Sequence, residues 1–124
     1  MKLSLSLPIA DRRTSHDFYA ALGFEAFGEV ASDGLPEPLQ FAVGDGASLM
    51  LIPTGGFGWV IGDNAVAERG TSECLLSLDG DVDALFKRAR AAGATVVAEP
   101  EQKPWGYTAT FADPDGHLWM VGTV

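Results

Sequence analysis

The chain has 124 residues, of which 47% are hydrophobic and 20% are charged, and its formal net charge is −9. This composition is typical of a single globular domain, and the negative charge would repel a phosphate backbone, so we expect no nucleic-acid partner. No apolar run reaches the roughly 20 residues of a membrane span and no secretion signal is recognisable, so we expect a cytoplasmic protein without a membrane partner.

The first part of the chain predicts one strand, one helix and three further strands. Residues 2 to 9 alternate apolar and small polar residues, as a strand does when one of its faces lies on a core. Asp11 or Thr14 can cap a helix that runs to about Leu22, and Gly23 would end it. The strands that follow are predicted at residues 24 to 31, 38 to 43 and 47 to 52.

Residues 53 to 72 form a connection that is long for a compact domain and has no counterpart elsewhere in the chain. We predict a short helix near residues 63 to 68. The glycine-rich stretch that contains Phe57 and Trp59 is either a flap that covers a ligand or part of a contact between subunits.

The second part of the chain predicts the same order of elements as the first. A strand at residues 73 to 78 precedes a helix that Asp81 can cap and Gly93 can end. Its apolar residues recur at i, i+3, i+4 and i+7, at Val82, Leu85, Phe86 and Ala89. Three strands are then predicted at residues 94 to 99, 106 to 112 and 117 to 123.

A shift of 70 residues without a gap relates the two parts. It pairs identical residues at equivalent places, namely Leu5 with Leu75, Asp11 with Asp81, Gly23 with Gly93, Phe41 with Phe111, Gly46 with Gly116 and Met50 with Met120. A repeat of this kind indicates two copies of one supersecondary unit. We therefore predict a single domain, residues 1 to 124, built from two tandem strand-helix-three-strand repeats at about 2–54 and 73–124, joined by the linker 53–72.

Two stretches of this repeat resemble a known family. They are Asp17-Phe18-Tyr19-Ala20-Ala21-Leu22-Gly23-Phe24 and Trp105-Gly106-Tyr107 leading into Phe111-Ala112-Asp113-Pro114-Asp115-Gly116-His117-Leu118-Trp119. They resemble the vicinal oxygen chelate superfamily, the glyoxalase and bleomycin-resistance fold, and the chain is similar to its small predicted lactoylglutathione lyases. The resemblance implies an α+β fold of two βαβββ modules, each a cup-shaped half-barrel, with the active site inside the cup.

The resemblance also implies where a metal ion would bind. Metal-using members take ligands from the first and last strands of each module, and the matching positions are Ser4, Met50, Cys74 and Met120, or Glu73 in place of Cys74 if the register differs by one. A divalent ion in octahedral geometry prefers oxygen and imidazole ligands, and thioethers are poor substitutes. We therefore expect no metal and no other cofactor.

Glu73 is the candidate catalytic residue, because burial in an apolar cup would raise its pKa and suit it to proton transfer; otherwise it is an exposed carboxylate. The candidate ligand pocket consists of Ser4, Met50, Phe57, Trp59, Cys74, Trp105, Tyr107 and Met120, of which the aromatic and thioether side chains suit a flat or apolar ligand. Cys74 is the only cysteine, which excludes an internal disulfide, and it is more typical of a small buried hydrophobe than of a nucleophile. His16 and His117 are more typical of structural than of catalytic residues.

The sequence is compatible with three functions. The first is a metal-independent protein that binds a small apolar or aromatic molecule, as antibiotic-sequestering proteins do. The second is an enzyme of enolate chemistry, similar to lactoylglutathione lyase, that uses Glu73 as a general base. The third is a paralogue whose cup serves only as a dimer core. In each case we expect a homodimer, since open sheet edges and the side chains of Phe57 and Trp59 would otherwise be exposed.

Overall fold

The computed structural model describes residues 1–122 of the chain. Its contacts divide the chain into two compact units, Met1–Ala67 and a second unit that begins at Glu68. None of the described helices is both long enough and apolar enough to cross a membrane.

Unit 1 is a four-stranded sheet with two helices. Its elements are β1 (Leu3–Ile9), α1 (Arg12–Leu22), β2 (Glu25–Phe27), β3 (Leu39–Val43), β4 (Ala47–Pro53) and α2 (Thr54–Ile61). The strand order is β1-β4-β3-β2, in which β1 and β4 are parallel and the other pairs are antiparallel.

Helix α1 forms because both of its ends are capped and one of its sides is apolar. The side chain of Asp11 accepts a hydrogen bond from the backbone N–H of Thr14 at 2.8 Å, and Gly23 ends the helix at φ 98°. The rings of Tyr19 and Phe41 lie 5.9 Å apart, which places α1 over the face of the sheet that carries Phe41. Because the side chain of Asp11 makes the capping hydrogen bond, the cap is Asp11 rather than Thr14.

Unit 2 repeats this architecture. Its elements are β5 (Leu76–Asp79), α3 (Val82–Ala91), β6 (Thr95–Lys103), β7 (Gly106–Ala112) and β8 (Leu118–Gly122). The strand order is β5-β8-β7-β6, and β5 is parallel to β8. The side chain of Asp81 caps α3 by accepting from the N–H of Ala84 at 3.1 Å. The apolar residues of α3 that were predicted to face the core include Val82, Phe86 and Ala89, and these three are buried.

The structure confirms the predicted α+β fold of two βαβββ units. Phe41 lies opposite Leu49 in unit 1, and Phe111 lies opposite Trp119 in unit 2, so both pairs obey the shift of 70 residues. The repeat is therefore structural as well as sequential from the helix caps onward.

The gapless shift is wrong for the first strand of the repeat. Ser6 lies beside Met50, but the residue beside Met120 is Ser77, so β1 and β5 correspond at a shift of 71. The turn between β5 and α3 is one residue shorter than the turn between β1 and α1. The shorter turn passes through Gly80, where a β-carbon would lie only 2.9 Å from Cδ1 of Leu85. The tight turn therefore favours glycine at this position. By the same register Leu5 corresponds to Leu76, and not to Leu75.

Several predicted boundaries also differ from the structure. No helix forms at residues 63 to 68; the linker helix is instead α2, immediately after β4. Strand β2 is shorter than predicted, with only the bridge between Val30 and Pro36 beyond it, whereas β6 continues to Lys103. Strand β5 begins three residues later than predicted, and Thr123, the predicted end of the last strand, lies outside the described residues.

Candidate functional site

The sheet of unit 1 has one face that points away from α1. Side chains alternate between the two faces of a strand, so the residues between the buried positions of β1, β3 and β4 share this second face. The strand register places Ser6, Met50, Gln40 and Phe27 side by side across all four strands, and Ser4, Ser48, Ala42 and Glu25 in the neighbouring row. We call these eight residues, together with Ile52, the Met50 face.

Unit 2 has an equivalent surface on the side of its sheet away from Phe111 and Trp119. One row across its strands is Ser77, Met120, Thr110 and Ala98, and the next is Asp79, Gly122, Thr108 and Glu101. We call these residues, with Lys103 beside Gly106, the Met120 face. In each unit a half-buried methionine lies at the centre of its row, with a serine of the first strand on one side.

Charge is sparse and mainly negative on both faces. Glu25 is the one ionisable strand residue on the Met50 face as the structure describes it. On the Met120 face the ionisable strand residues are Asp79, Glu101 and Lys103, and Nζ of Lys103 lies 3.0 Å from Oε2 of Glu101. On neither face, therefore, do the described strand residues include an unpaired cation that could bind an anionic ligand.

Helix α2 borders the Met50 face. A β-carbon at Gly56 would lie 3.3 Å from Cγ2 of Ile52, so the glycine allows a close approach of the helix to the end of β4. The hydroxyl of Thr54 also donates to the backbone oxygen of Ile9, at 3.1 Å. Trp59 lies three residues after Gly56 and therefore on the same side of the helix, and 85% of it is exposed.

The structure brings together some of the predicted pocket residues of unit 1. Ser4 and Met50 lie on the Met50 face, on adjacent strands and in neighbouring rows. Phe57 and Trp59 both belong to α2, where Phe57 is half-buried and Trp59 is exposed.

The predicted residues of unit 2 do not share one surface. Met120 is on the Met120 face. Tyr107 is the neighbour of Thr108 on β7, and because Thr108 lies on the Met120 face, Tyr107 points to the opposite, α3 side of the sheet. There the phenol hydroxyl donates to Oδ1 of Asp83 at 2.6 Å, and this hydrogen bond to a carboxylate raises the pKa of Tyr107. Trp105 lies in the turn between β6 and β7 and is 71% exposed.

Glu73 and Cys74 precede β5 rather than forming part of it. Both are exposed, and Glu73 lies in a bend of the chain. Because β5 corresponds to β1 at a shift of 71, the position in unit 2 that is equivalent to Ser4 is Leu75, so the repeat no longer relates Ser4 to Cys74.

The side chains at the implied ligand positions do not fit a metal ion. Met50 and Met120 are thioethers, Ser4 is a hydroxyl, and the corresponding position in unit 2, Leu75, has no donor atom. A hard divalent cation prefers carboxylate, carbonyl, water or imidazole ligands. Within residues 1–122, moreover, no three side chains of His, Cys, Asp or Glu converge as a metal site would require.

The two histidines lie in structured surroundings. Nδ1 of His16 is 2.9 Å from Oδ1 of Asp17, and its ring is 5.8 Å from that of Phe41. The backbone N–H of His117 donates to Oδ1 of the buried Asp113 at 2.8 Å, in the turn that joins β7 to β8.

Sequence reasoning missed the polar residues that flank the two methionines. Gln40 and Thr110 are the neighbours of Met50 and Met120 on the third strand of each unit, and they obey the shift of 70. The alternation around Phe41 and Phe111 could have identified them, because a residue next to a core phenylalanine in a strand must point to the opposite face.

Known proteins match the chain along nearly its whole length. The family model described as the Glyoxalase/Bleomycin resistance protein/Dioxygenase superfamily matches residues 3–121. An uncharacterized protein of Mycobacterium bovis is 34% identical over 133 aligned residues, which cover 97% of this chain and 81% of the relative.

Solved structures show the same fold. A hypothetical protein from S. aureus has a TM-score of 0.82 and 27% identity, and the match covers 100% of this chain and 92% of the other. An antibiotic-binding protein from Streptomyces sp. CB03234 has a TM-score of 0.68 and 28% identity, with coverage of 99% and 94%.

Proposed function

The chain belongs to the Glyoxalase/Bleomycin resistance protein/Dioxygenase superfamily, and from this membership we propose that it binds a small apolar or aromatic molecule without a metal ion. The observation that carries the proposal is the chemistry of the Met50 and Met120 faces. Where a metal-using relative would present carboxylates or imidazoles, this chain presents thioethers flanked by hydroxyl groups. Such a surface supplies contact area and hydrogen bonds rather than a Lewis acid.

The methionines suit this role because they are only half-buried within the chain. A thioether is polarisable and adaptable, and its contact with an aromatic ring contributes about 0.3–1.5 kcal/mol. Met50 and Met120 each keep part of the side chain accessible on the face opposite the packed helix. An aromatic molecule on either face would bury apolar area there without displacing any residue of the core.

The Streptomyces relative supports sequestration as the kind of function. It is described as an antibiotic-binding protein, and it is 28% identical to this chain. By this proposal the present chain also binds its ligand, an apolar or aromatic molecule, without converting it. The residues of its own two faces determine which molecule that is.

The charges on the two faces weigh against the enzymatic alternative. A lactoylglutathione lyase acts on a conjugate of glutathione, which carries a net negative charge at neutral pH. The described strand residues of both faces provide only carboxylates and one lysine that is already paired with Glu101. Glu73, the predicted base of this alternative, is exposed rather than enclosed by apolar groups, and it precedes β5 instead of lying on the Met120 face.

Two variants test the proposal. In a thermal-shift screen of aromatic compounds, the wild type should be stabilised by one or more of them, and Met50→Ala should reduce that shift. Glu73→Gln should leave the shift unchanged. The same proteins should be assayed with the hemithioacetal of methylglyoxal and glutathione. Turnover by the wild type that falls by about 10²- to 10⁴-fold in Glu73→Gln would establish the enzyme and overturn sequestration.

A further inference from the structure

Gln40 has an amide that the fold itself does not use. It lies on β3 between Met50 on β4 and Phe27 on β2, in the central row of the Met50 face. The residue is half-buried, and within residues 1–122 its amide makes no hydrogen bond. A primary amide has two donor hydrogens and an acceptor oxygen. Neither amide atom is sealed from solvent without a partner, so water can pair with the amide in the free protein, and a ligand with a matching donor and acceptor can take the place of that water.

The backbone beside Gln40 leaves room for this amide. Gly28 follows β2 at φ 113°, a conformation that favours glycine, and a β-carbon there would lie 3.2 Å from Nε2 of Gln40. Any larger residue at position 28 would therefore press against the amide.

The rest of the row defines which ligand chemistry fits. Ser6 and Gln40 lie on the two sides of Met50, two strand spacings apart, or about 10 Å. A flat molecule centred over Met50 would have its apolar body on the thioether, with Ser6 near one edge and Gln40 near the opposite edge. Glu25 is the one charged strand residue described on this face, so the edge should be neutral rather than anionic.

We propose that Gln40 determines the specificity of the Met50 face, by pairing its amide with a neutral edge in which a carbonyl adjoins an N–H or O–H, as in a lactam. This inference rests on the proposed function and refines it. A primary amide is complementary to such an edge, because it can donate to the carbonyl and accept from the adjacent hydrogen at the same time. The equivalent residue of unit 2 is Thr110, whose single hydroxyl lacks that paired geometry, so the selectivity belongs to unit 1.

The test compares two tricyclic probes of the same size at neutral pH. Phenanthridinone carries a lactam edge, and phenanthridine lacks the carbonyl. Dissociation constants are measured by fluorescence titration for the wild type, Gln40→Leu and a control, Gln102→Leu. Gln102 is an exposed glutamine of β6 that points to the other face of its sheet, with its amide donating to the oxygen of Lys103 at 3.1 Å. Amide exchange or circular dichroism verifies that each variant is folded.

We expect the wild type and Gln102→Leu to bind phenanthridinone about tenfold more tightly than phenanthridine, the value of one or two neutral hydrogen bonds. Gln40→Leu should bind both probes equally, with the wild-type affinity for phenanthridine. If Gln40→Leu does not fold, Gln40→Glu keeps the shape of the side chain and should also lose the preference, because an ionised carboxylate cannot donate.

The outcomes separate this inference from the proposed function. A lactam preference that survives in Gln40→Leu or Gln40→Glu, or equal binding of both probes by the wild type, overturns the role of Gln40 and leaves aromatic binding intact. Failure of the wild type to bind either probe counts against the proposed function itself, and the assignment of Gln40 fails with it.

Discussion

Replacement of Trp59 by alanine should separate binding from stability. Trp59 is 85% exposed on α2, so its removal deletes few contacts of the folded chain. Substitutions at such exposed sites usually change the free energy of unfolding by less than about 0.5 kcal/mol. A binding defect in Trp59→Ala could therefore not be attributed to loss of the fold.

The expected loss of affinity follows from the area that Trp59 can still bury. A tryptophan buries up to about 250 Å², and at 85% exposure most of that area remains available. At about 25 cal/mol per Å², covering half of it would contribute roughly 3 kcal/mol. Ordering the side chain costs about 0.5–1.5 kcal/mol. The net effect is about 2 kcal/mol, or a thirtyfold increase in the dissociation constant.

Isothermal titration with the best ligand from the aromatic screen measures this effect. Val30→Ala is the matched control, since Val30 is also an exposed apolar residue of unit 1, at 67% exposure, but lies outside α2 and the Met50 face. Urea titrations of both variants should coincide with that of the wild type within about 0.5 kcal/mol.

The same variant decides between the two roles predicted for the linker. If α2 is a flap over the Met50 face, Trp59→Ala weakens ligand binding and leaves the state of association unchanged. If α2 is instead a subunit contact, Trp59→Ala promotes dissociation of the oligomer, and the affinity of the remaining protein for the ligand is that of the wild type. The second result would refute the flap.

The guanidinium of Arg12 lies 2.9 Å from Asp33 and lowers the pKa of that carboxyl from 3.8 to about 2. Because the pKa of Asp33 is lower in the folded state than in the unfolded state, the ion pair stabilises the fold fully above about pH 4. This stabilisation is lost as the pH falls towards 2. Urea midpoints measured across that range should therefore fall less steeply in Asp33→Asn than in the wild type. Elemental analysis after dialysis should find far less than one nickel, zinc or manganese ion per chain, and a stoichiometric ion would mean that the ligands lie elsewhere than at Ser4, Met50 and Met120. Light scattering should give twice the chain mass of 13.1 kDa, since the edge strands β1 and β2 and the exposed side chain of Val60 favour association, and a monomer at high micromolar concentration would contradict this.

The sequence predicted the fold well because the signals involved are local. Asp11 and Asp81 each sit three residues before the N–H that they cap, and glycine follows both helices. The core positions of α3 follow from a helical period that needs no knowledge of the sheet. The repeat then related the two units, so evidence in one unit supported the assignment in the other.

Strand register and the linker helix could not be obtained in the same way. Alternation fixes which residues share a face but not which residue of the next strand lies beside them. Alternation therefore could not reveal that the turn at Gly80 is shorter by one residue. Because of this shorter turn, the residue equivalent to Ser4 lies outside strand β5. Helix α2 was missed because three of its eight residues are glycine, which lowers helix propensity. Its close approach to Ile52 depends on one of those glycines, and this is a tertiary contact that propensity cannot report.

The corrected register also explains how two copies of one unit can differ in function. Met50 and Met120 are equivalent, and so are Ser6 and Ser77, so the centre of each face is the same. The neighbours on the third strand differ, with Gln40 in unit 1 and Thr110 in unit 2. A difference in ligand preference between the units must therefore arise at residues other than the shared methionine and serine. Exchanging these two residues, Gln40→Thr and Thr110→Gln, should move the lactam preference from the Met50 face to the Met120 face. Protection of Met50 or Met120 from chemical oxidation by bound phenanthridinone would report which face is occupied, and protection of Met50 in the exchanged protein would show that the amide does not decide the choice.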